Sequence, residues 1–456
     1  MLLALGFLIP ACGNGTSVSL PPPPAPLTPA PFSVTVISST EIDLHWVNGA
    51  YPQTAVSIER SLDDVNFIVV ASLGGNAIVY RDLMVLPSTT YYYQIRAFNG
   101  SSPSPYTGVV AATTKTPAWV QLSPGTPVPS VRTNLGSTFA VASNSMIVCA
   151  GDDASFPPAN TQTWALNNSG SGTPSWTQIG TGTNPGVRTS PGVAYSPSSQ
   201  VFGPASNAVI LFGGLNQSNP ASVVFENDVW VLNPVSPTNW SPVVTAGTPA
   251  PPRFGHAVAF AGSKLYVIGG QNANSTTLPN PPNNNLMNDV WTLDFSSATP
   301  LWSELLPSGP MAPRAFHSAI YDQANDQIIL FGGTDGTNLR NDTWALHLGA
   351  APFWSQLLTG GSPPSARSSC SAVYHASADL MIVFGGNSFT GSVNDVWVLS
   401  LSGIPTWLPL TVMGTPPGTR GGHAAAFNDA DNRMNMFGGQ DSTTFTLYPE
   451  TWKLQF

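Results

Sequence analysis

A chain of 456 residues is longer than one ordinary domain needs, so two or three units are expected. The 42 Gly and 45 Pro, with no sustained apolar spacing at i, i+3, i+4 and i+7, exclude long helices and leave short strands between turns. Charged residues make up 8% of the chain at a net charge of −9, and the absence of any Lys/Arg stripe excludes a protein that tracks nucleic acid. The class is all-β.

Residues 1–10 form an apolar run that ends at Ala11-Cys12-Gly13 and is too short to span a bilayer as a helix. It reads as the end of a signal peptide lacking the usual basic n-region. Ile9-Pro10-Ala11-Cys12 resembles a bacterial lipobox, which implies lipidation of Cys12 and a secreted, cell-envelope protein held to the membrane by its lipid alone. Segment 1–12 is thus the signal, and 13–27 is a Pro-rich linker. Its Pro21-Pro22-Pro23-Pro24 core prefers extended polyproline II and acts as a semi-rigid spacer.

From 28 to 116 the sequence alternates in strands read at 33–37, 41–47, 55–60, 67–71 and 91–99. Ile42, Leu44 and Trp46 share one face, and Tyr91, Tyr93 and Ile95 share another. The run Leu86-Pro87-Ser88-Thr89-Thr90-Tyr91, continuing into Arg96-Ala97-Phe98-Asn99, resembles the E–F corner and F strand of fibronectin type III domains. That resemblance makes Trp46 the core tryptophan and Tyr91 the tyrosine corner. Alternation places two of Tyr91, Tyr92 and Tyr93 inside and one outside.

From 117 to 456 the chain repeats itself. Twelve tryptophans fill two slots: Trp164, Trp230, Trp291, Trp344, Trp397 and Trp452 in one, Trp119, Trp176, Trp240, Trp302, Trp354 and Trp407 in the other. A third slot ends a Pro-rich loop in Arg132, Arg188, Arg253, Arg314, Arg367 or Arg420. A fourth closes an apolar strand with two glycines in five copies and with Ala150-Gly151 in the first. Asn-Asp precedes the first Trp slot in four copies, replaced by Thr161-Gln162 and Pro449-Glu450 in the others. Successive arginines lie 56, 65, 61, 53 and 53 residues apart. This order and period resemble kelch repeats, which implies a six-bladed β-propeller. The region opens on an outer-slot Trp119 and ends after an inner-slot Trp452. The sixth copy therefore lacks its fourth strand, and the strand around Trp119 is expected to supply it.

A ring of arginines could gather an anionic ligand. Repetition in every copy favours a scaffold role instead, each Arg bonding the repeated Asp or nearby carbonyls. Three positions after the arginines stand His256, His317 and His423, with Leu135, Pro191 and Cys370 in the other copies. Metal ligation needs convergence that positions on separate blades do not offer, so these are expected to be structural. Cys149 and Cys370, both in apolar strands, are expected to be free thiols. Galactose-oxidase-like copper enzymes and sialic acid mutarotases are also kelch proteins, but the copper set of the first cannot be assembled here and no catalytic residue of the second can be matched. No motif calls for a cofactor or a metal. Binding is expected on the variable loops after the glycine pairs: Asp152 with Phe156, Asn272 in the long 271–288 loop, Asp335, Phe389 and Phe445. The sequence thus points to a non-catalytic surface binding or adhesion protein for carbohydrate or protein ligands, with a carbohydrate-acting kelch enzyme as the alternative.

Overall fold

The computed structural model describes residues 22–456 except 50–51, 154, 156–159, 168–171, 198–206, 220–222, 238 and 273–284. Cys12, the lipobox and Phe156 lie outside the described residues. The chain divides into two compact units: Met1–Val36, Ile42–Asp82 and Thr90–Thr113 in one, Ile37–Glu41, Leu83–Thr89 and Thr114–Phe456 in the other.

In the first unit, Phe32–Val36, Ile42–Trp46 and Val79–Asp82 form a three-stranded antiparallel sheet. A second antiparallel sheet orders Ile68–Gly74, Ala55–Ser61 and Thr90–Asn99, the last also pairing with Ser102–Pro103 and Val110–Thr113. The alternation predicts the core: Ile42, Leu44, Trp46, Tyr91, Tyr93 and Ile95 are buried, while Tyr92 is less so. Strands Val79–Asp82 and Val110–Thr113 escaped the sequence because each is four residues long and half-exposed, too short for a visible period. The buried Asp82 accepts from the Tyr93 hydroxyl (2.9 Å) and pairs with Arg60 (2.8 Å). The Arg60 guanidinium stands 5.0 Å over the Tyr91 ring.

The second unit holds, among the described residues, six four-stranded antiparallel sheets. Sheet I is Gly136–Ala140, Ser145–Cys149, Thr163–Asn167 and Ser175–Ile179. Sheet II is Gly192–Ser196, Ala208–Asn216, Val224–Leu232 and Ser241–Pro242, and sheet III is Ala257–Ala261, Lys264–Gln271, Leu286–Asp294 and Leu301–Leu305. Sheet IV is Ser318–Asp322, Gln327–Phe331, Thr343–His347 and Phe353–Gln356, and sheet V is Ser371–His375, Leu380–Phe384, Val396–Ser400 and Thr406–Pro409. Sheet VI combines Ala424–Asn428, Arg433–Phe437 and Thr451–Gln455 with Ala118–Leu122 from the start of the repeat region. The register sets Trp119 opposite Leu454 and Gln121 opposite Trp452.

The first strands of the six sheets neighbour one another in cyclic order, I to VI and back to I, around a central channel. The second strand of each sheet is buried on both faces, so its side chains alternate between two neighbours. In sheet II, Ile210 and Phe212 pack toward sheet III, while Val209 and Leu211 pack toward sheet I. Each sheet–sheet junction has its own apolar cluster, so no sheet has a complete core alone.

Candidate functional site

Each repeated arginine is buried and locked inside its own sheet. Arg253 donates to both oxygens of Asp289 (2.7 and 2.8 Å) and to the Gly269 carbonyl (2.9 Å), and Trp291 Nε1–H donates to the same carboxylate (2.7 Å). Arg188, Arg314 and Arg367 repeat this with Asp228 and Trp230, Asp342 and Trp344, and Asp395 and Trp397. Burial pushes the Asp342 and Asp395 carboxyls up, but the guanidinium hydrogen bonds and charge more than reverse this and leave both below the usual range. The two degenerate copies improvise. Arg132 uses Asn160 Oδ1 (2.8 Å) and Gln162 Oε1 (3.1 Å), and burial away from a bonded carboxylate lowers its pKa to about 10. Arg420 meets Glu450 (3.4 Å) and lies 4.0 Å from the Tyr448 ring centre.

The glycine pairs join neighbouring sheets. The second glycine's N–H donates to the carbonyl of the next sheet's arginine all the way round, from Gly151 to Arg188 (3.0 Å) through to Gly439 to Arg132 (2.9 Å). Both glycines carry positive φ, and the space argues for them too. A Cβ on Gly269 would stand 2.9 Å from the Arg314 carbonyl oxygen, and one on Gly270 would stand 2.7 Å from the His256 Cβ. His256, His317 and His423 are wedges at separate junctions. His256 lies edge-on to Phe212 (5.3 Å), and His423 lies edge-on to Phe384 (5.1 Å) with Nε2 against Ser371 Oγ (2.8 Å). Burial, then the neighbouring arginine charge, lowers the pKa of His317 and His423 to about 3 and that of His256 well below its ordinary value. Among the described residues no His, Cys, Asp or Glu group could hold a metal ion, and Cys149 and Cys370 are buried free thiols.

Two positions after each arginine, a residue with positive φ closes the channel in a collar. Its N–H donates to the same position in the preceding sheet: Asn134 to Gly422, Ser190 to Asn134, Gly255 to Ser190, Phe316 to Gly255, Ser369 to Phe316 and Gly422 to Ser369 (2.7–3.3 Å). The histidines, Phe316 and Cys370 line a cavity of about 130 Å³ at this collar.

The sequence-predicted binding residues divide on the loops at the collar end. Asp152 is tied through its backbone to Thr133 (2.8 and 2.9 Å), and the Asn272 N–H closes the base of its long loop on Asn285 (3.1 Å). Asp335 caps its own turn through the Thr337 and Asn338 N–H groups (2.9 and 2.6 Å) and pairs with Arg340. Phe389 and Phe445 are 70% and 72% exposed. Their loops are braced together, Ser442 N–H donating to Ser392 Oγ (2.8 Å) and the two hydroxyls lying 3.0 Å apart.

Two aromatic features went unread in the sequence. At the collar end Phe254 stands between Phe225 (5.6 Å) and Phe316 (5.7 Å), a half-buried row running toward the channel. Phe254 and Phe316 are the aromatics in the two slots that follow the arginines, which elsewhere hold Thr, Asn, Ser, Gly or Ala. At the opposite end, Phe139, Tyr195, Phe260, Tyr321, Tyr374 and Phe427 line a cavity of about 380 Å³. Each follows its arginine by seven residues, a signal the sequence carried in every copy.

Residues 200–439, just over half of the chain, match the family model described as KLHDC2/KLHL20/DRC7 Kelch-repeats domain. Among curated relatives, the chain is 28% identical over 248 residues to the Leucine-zipper-like transcriptional regulator 1 homolog of Drosophila melanogaster, covering 52% of this chain and 23% of that protein. It is 29% identical over 269 residues to Adagio-like protein 3 of Oryza sativa subsp. japonica, covering 54% and 40%. Acyl-CoA-binding domain-containing protein 5 of Arabidopsis thaliana matches at 28% over 253 residues, covering 54% and 37%. The chain thus spans well under half the length of these relatives. Among solved structures, that of YjhT is similar in fold, with a TM-score of 0.53 at 16% identity, covering 71% of this chain and 95% of that one. The arginine locks, the glycine pairs and the family match together identify the chain as a member of the kelch-repeat family.

Proposed function

We propose that this protein is a non-catalytic binding module that recognises carbohydrate or protein through the collar-end loops of a six-bladed propeller. The carrying observation is the braced pair of loops presenting Phe389 and Phe445 to solvent. Large rings that stay exposed on a hydrogen-bonded frame offer apolar contact at little ordering cost. Supporting the blade count are the six four-stranded sheets and the strand Ala118–Leu122 that completes the last of them. The first unit is read as a fibronectin type III spacer on its two sheets, one of three strands and one built around Ala55–Ser61 and Thr90–Asn99. Cys12 is read as a lipid anchor that places the protein in the cell envelope, and mass spectrometry finding an uncleaved Met1 or an unmodified Cys12 would refute that.

The test of the binding reading is a glycan and peptide array probed with the wild-type chain and with Phe389→Ala/Phe445→Ala. The double variant should lose about tenfold or more of any binding at an unchanged melting temperature. Undiminished binding would remove these loops from the site. Turnover of a bound sugar would move the reading to the carbohydrate-acting alternative.

A further inference from the structure

We propose that the aromatic girdle at the end of the channel away from the collar is a binding site for a small organic cation, a quaternary or protonated amine with compact apolar substituents. It goes beyond the loop reading and uses none of its residues.

The six rings occupy one structural position. Each is the penultimate residue of its strand and lies opposite the second residue of its hairpin partner, as Phe139 does with Met146 and Tyr321 with Ile328. Together they line a cavity of about 380 Å³, the size of a small-molecule site. Each ring packs on a sheet–sheet apolar cluster and also borders the cavity. A ring face carries the negative lobe of the aromatic quadrupole, so a guest that meets these faces is favoured as a cation over an anion or a neutral molecule.

Three rings are fixed in place. The hydroxyls of Tyr195, Tyr321 and Tyr374 donate to Asn207 (3.1 Å), Asp326 (2.9 Å) and Asp379 (3.0 Å), each a turn residue with positive φ. Two of those three acceptors are carboxylates, which adds negative potential behind the rings.

Charge at the wall has the same sign. The ionisable residue lining the cavity besides the tyrosines is Asp429, and no Lys, Arg or His lines it among the described residues. Asp429 is half-exposed and receives the Ala376 N–H (2.9 Å) and the His375 Nδ1 contact (3.2 Å) on one oxygen, Oδ1. The chain as a whole carries −9. An anionic ligand would meet no basic partner in this wall, whereas a cation meets rings and a carboxylate.

The experiment is calorimetric titration of the full chain with choline and with its neutral carbon isostere, 3,3-dimethylbutan-1-ol. Choline should bind saturably at one site, and the isostere about tenfold or more weaker. Asp429→Asn and Tyr321→Leu should each weaken choline by about tenfold, while Tyr321→Phe, which keeps the ring, should bind nearly as well as wild type. Phe389→Ala/Phe445→Ala should bind choline normally, which separates this site from the loop reading. No saturable choline binding, equal binding of the isostere, or full binding by folded Asp429→Asn and Tyr321→Leu proteins would each overturn the proposal.

Discussion

The indole N–H of the outer tryptophan shows how single residues distinguish otherwise equivalent sheets. Trp176, Trp240 and Trp407 donate to the hydroxyls of Thr451, Thr163 and Thr343 in the preceding sheet (3.0–3.1 Å). In each case that threonine precedes the inner-slot tryptophan. The remaining sheets carry Val229, Val290 and Val396 in this slot, clustered with Trp302, Trp354 and Trp119. Those three indole nitrogens are buried without a partner. An orphaned buried donor bears its full desolvation cost, on the order of 1–3 kcal/mol. Val396→Thr should therefore stabilise the protein by about 1 kcal/mol, although a hydroxyl placed in an apolar site normally does the reverse. Urea unfolding would read this as a higher midpoint at unchanged slope. A lower midpoint would mean that the new hydroxyl cannot reach Trp119. The outer tryptophan's ring contact varies with its neighbour in the same way. Trp119, Trp302 and Trp407 meet Phe384, Phe212 and Phe331 at 4.9–5.2 Å, while Cys149 holds the corresponding strand end in sheet I.

At the scale of strands and junctions, most of what repeated was readable and what varied was not. The arginines, glycine pairs and tryptophans stood out because nearly every sheet sets them at the same structural position, so each copy corroborates the others. Asp335 looked like a ligand-facing carboxylate in sequence, yet its geometry is that of a turn cap, and nothing in a lone Asp-Gly tells the two apart. The aromatic girdle was missed for another reason. Phe and Tyr at the end of an apolar strand read as core, and only ring closure turns that position toward a channel. The histidines are buried at the sheet junctions, and this makes stability depend on pH. Their pKa values are lowered in the folded protein, so the unfolded chain binds more protons below about 6.5. Their contribution is complete above that pH and is lost as pH falls toward about 3, the folded value of His317 and His423. Each histidine should cost at most about 1.4 kcal/mol per pH unit within the window. Urea midpoints should fall steadily from pH 7 to pH 4. His317→Leu, copying the Leu135 of sheet I, should remove about a third of that slope, since three histidines share it. A flat profile would show that these rings are hydrated and not buried neutral wedges.

For the whole second unit the question is what holds a ring of sheets shut. Two cyclic hydrogen-bond systems answer on the channel side: the glycine-to-arginine bonds and the collar, neither with a gap between sheets VI and I. On the outer side the seam is Ala118–Leu122, which supplies the fourth strand of sheet VI. Trp119 is 4% exposed and packs against Phe384 of sheet V (4.9 Å) and Trp452 of sheet VI (6.4 Å). Its backbone N–H donates to the Met413 carbonyl (2.9 Å), and the Met413 backbone N–H donates to the Pro117 carbonyl (2.8 Å). Removing this segment strips one edge of Thr451–Gln455 and opens the cluster between sheets V and VI. An unpaired edge beside an uncovered apolar face is what natural sheets avoid. Two chains that both lack the first unit, together with Ile37–Glu41 and Leu83–Thr89 of the second, isolate the effect, one beginning at Thr116 and the other at Ser123. The longer chain should unfold in one cooperative transition. The shorter should aggregate or unfold over a broad, multistep range, and Trp119→Ala in the longer chain should already cost about 3–5 kcal/mol. Calorimetry with matched urea titrations would check both. If the Ser123 chain were as stable and cooperative as the Thr116 chain, the two inner hydrogen-bond rings would be sufficient for closure, and Ala118–Leu122 would be a passive edge.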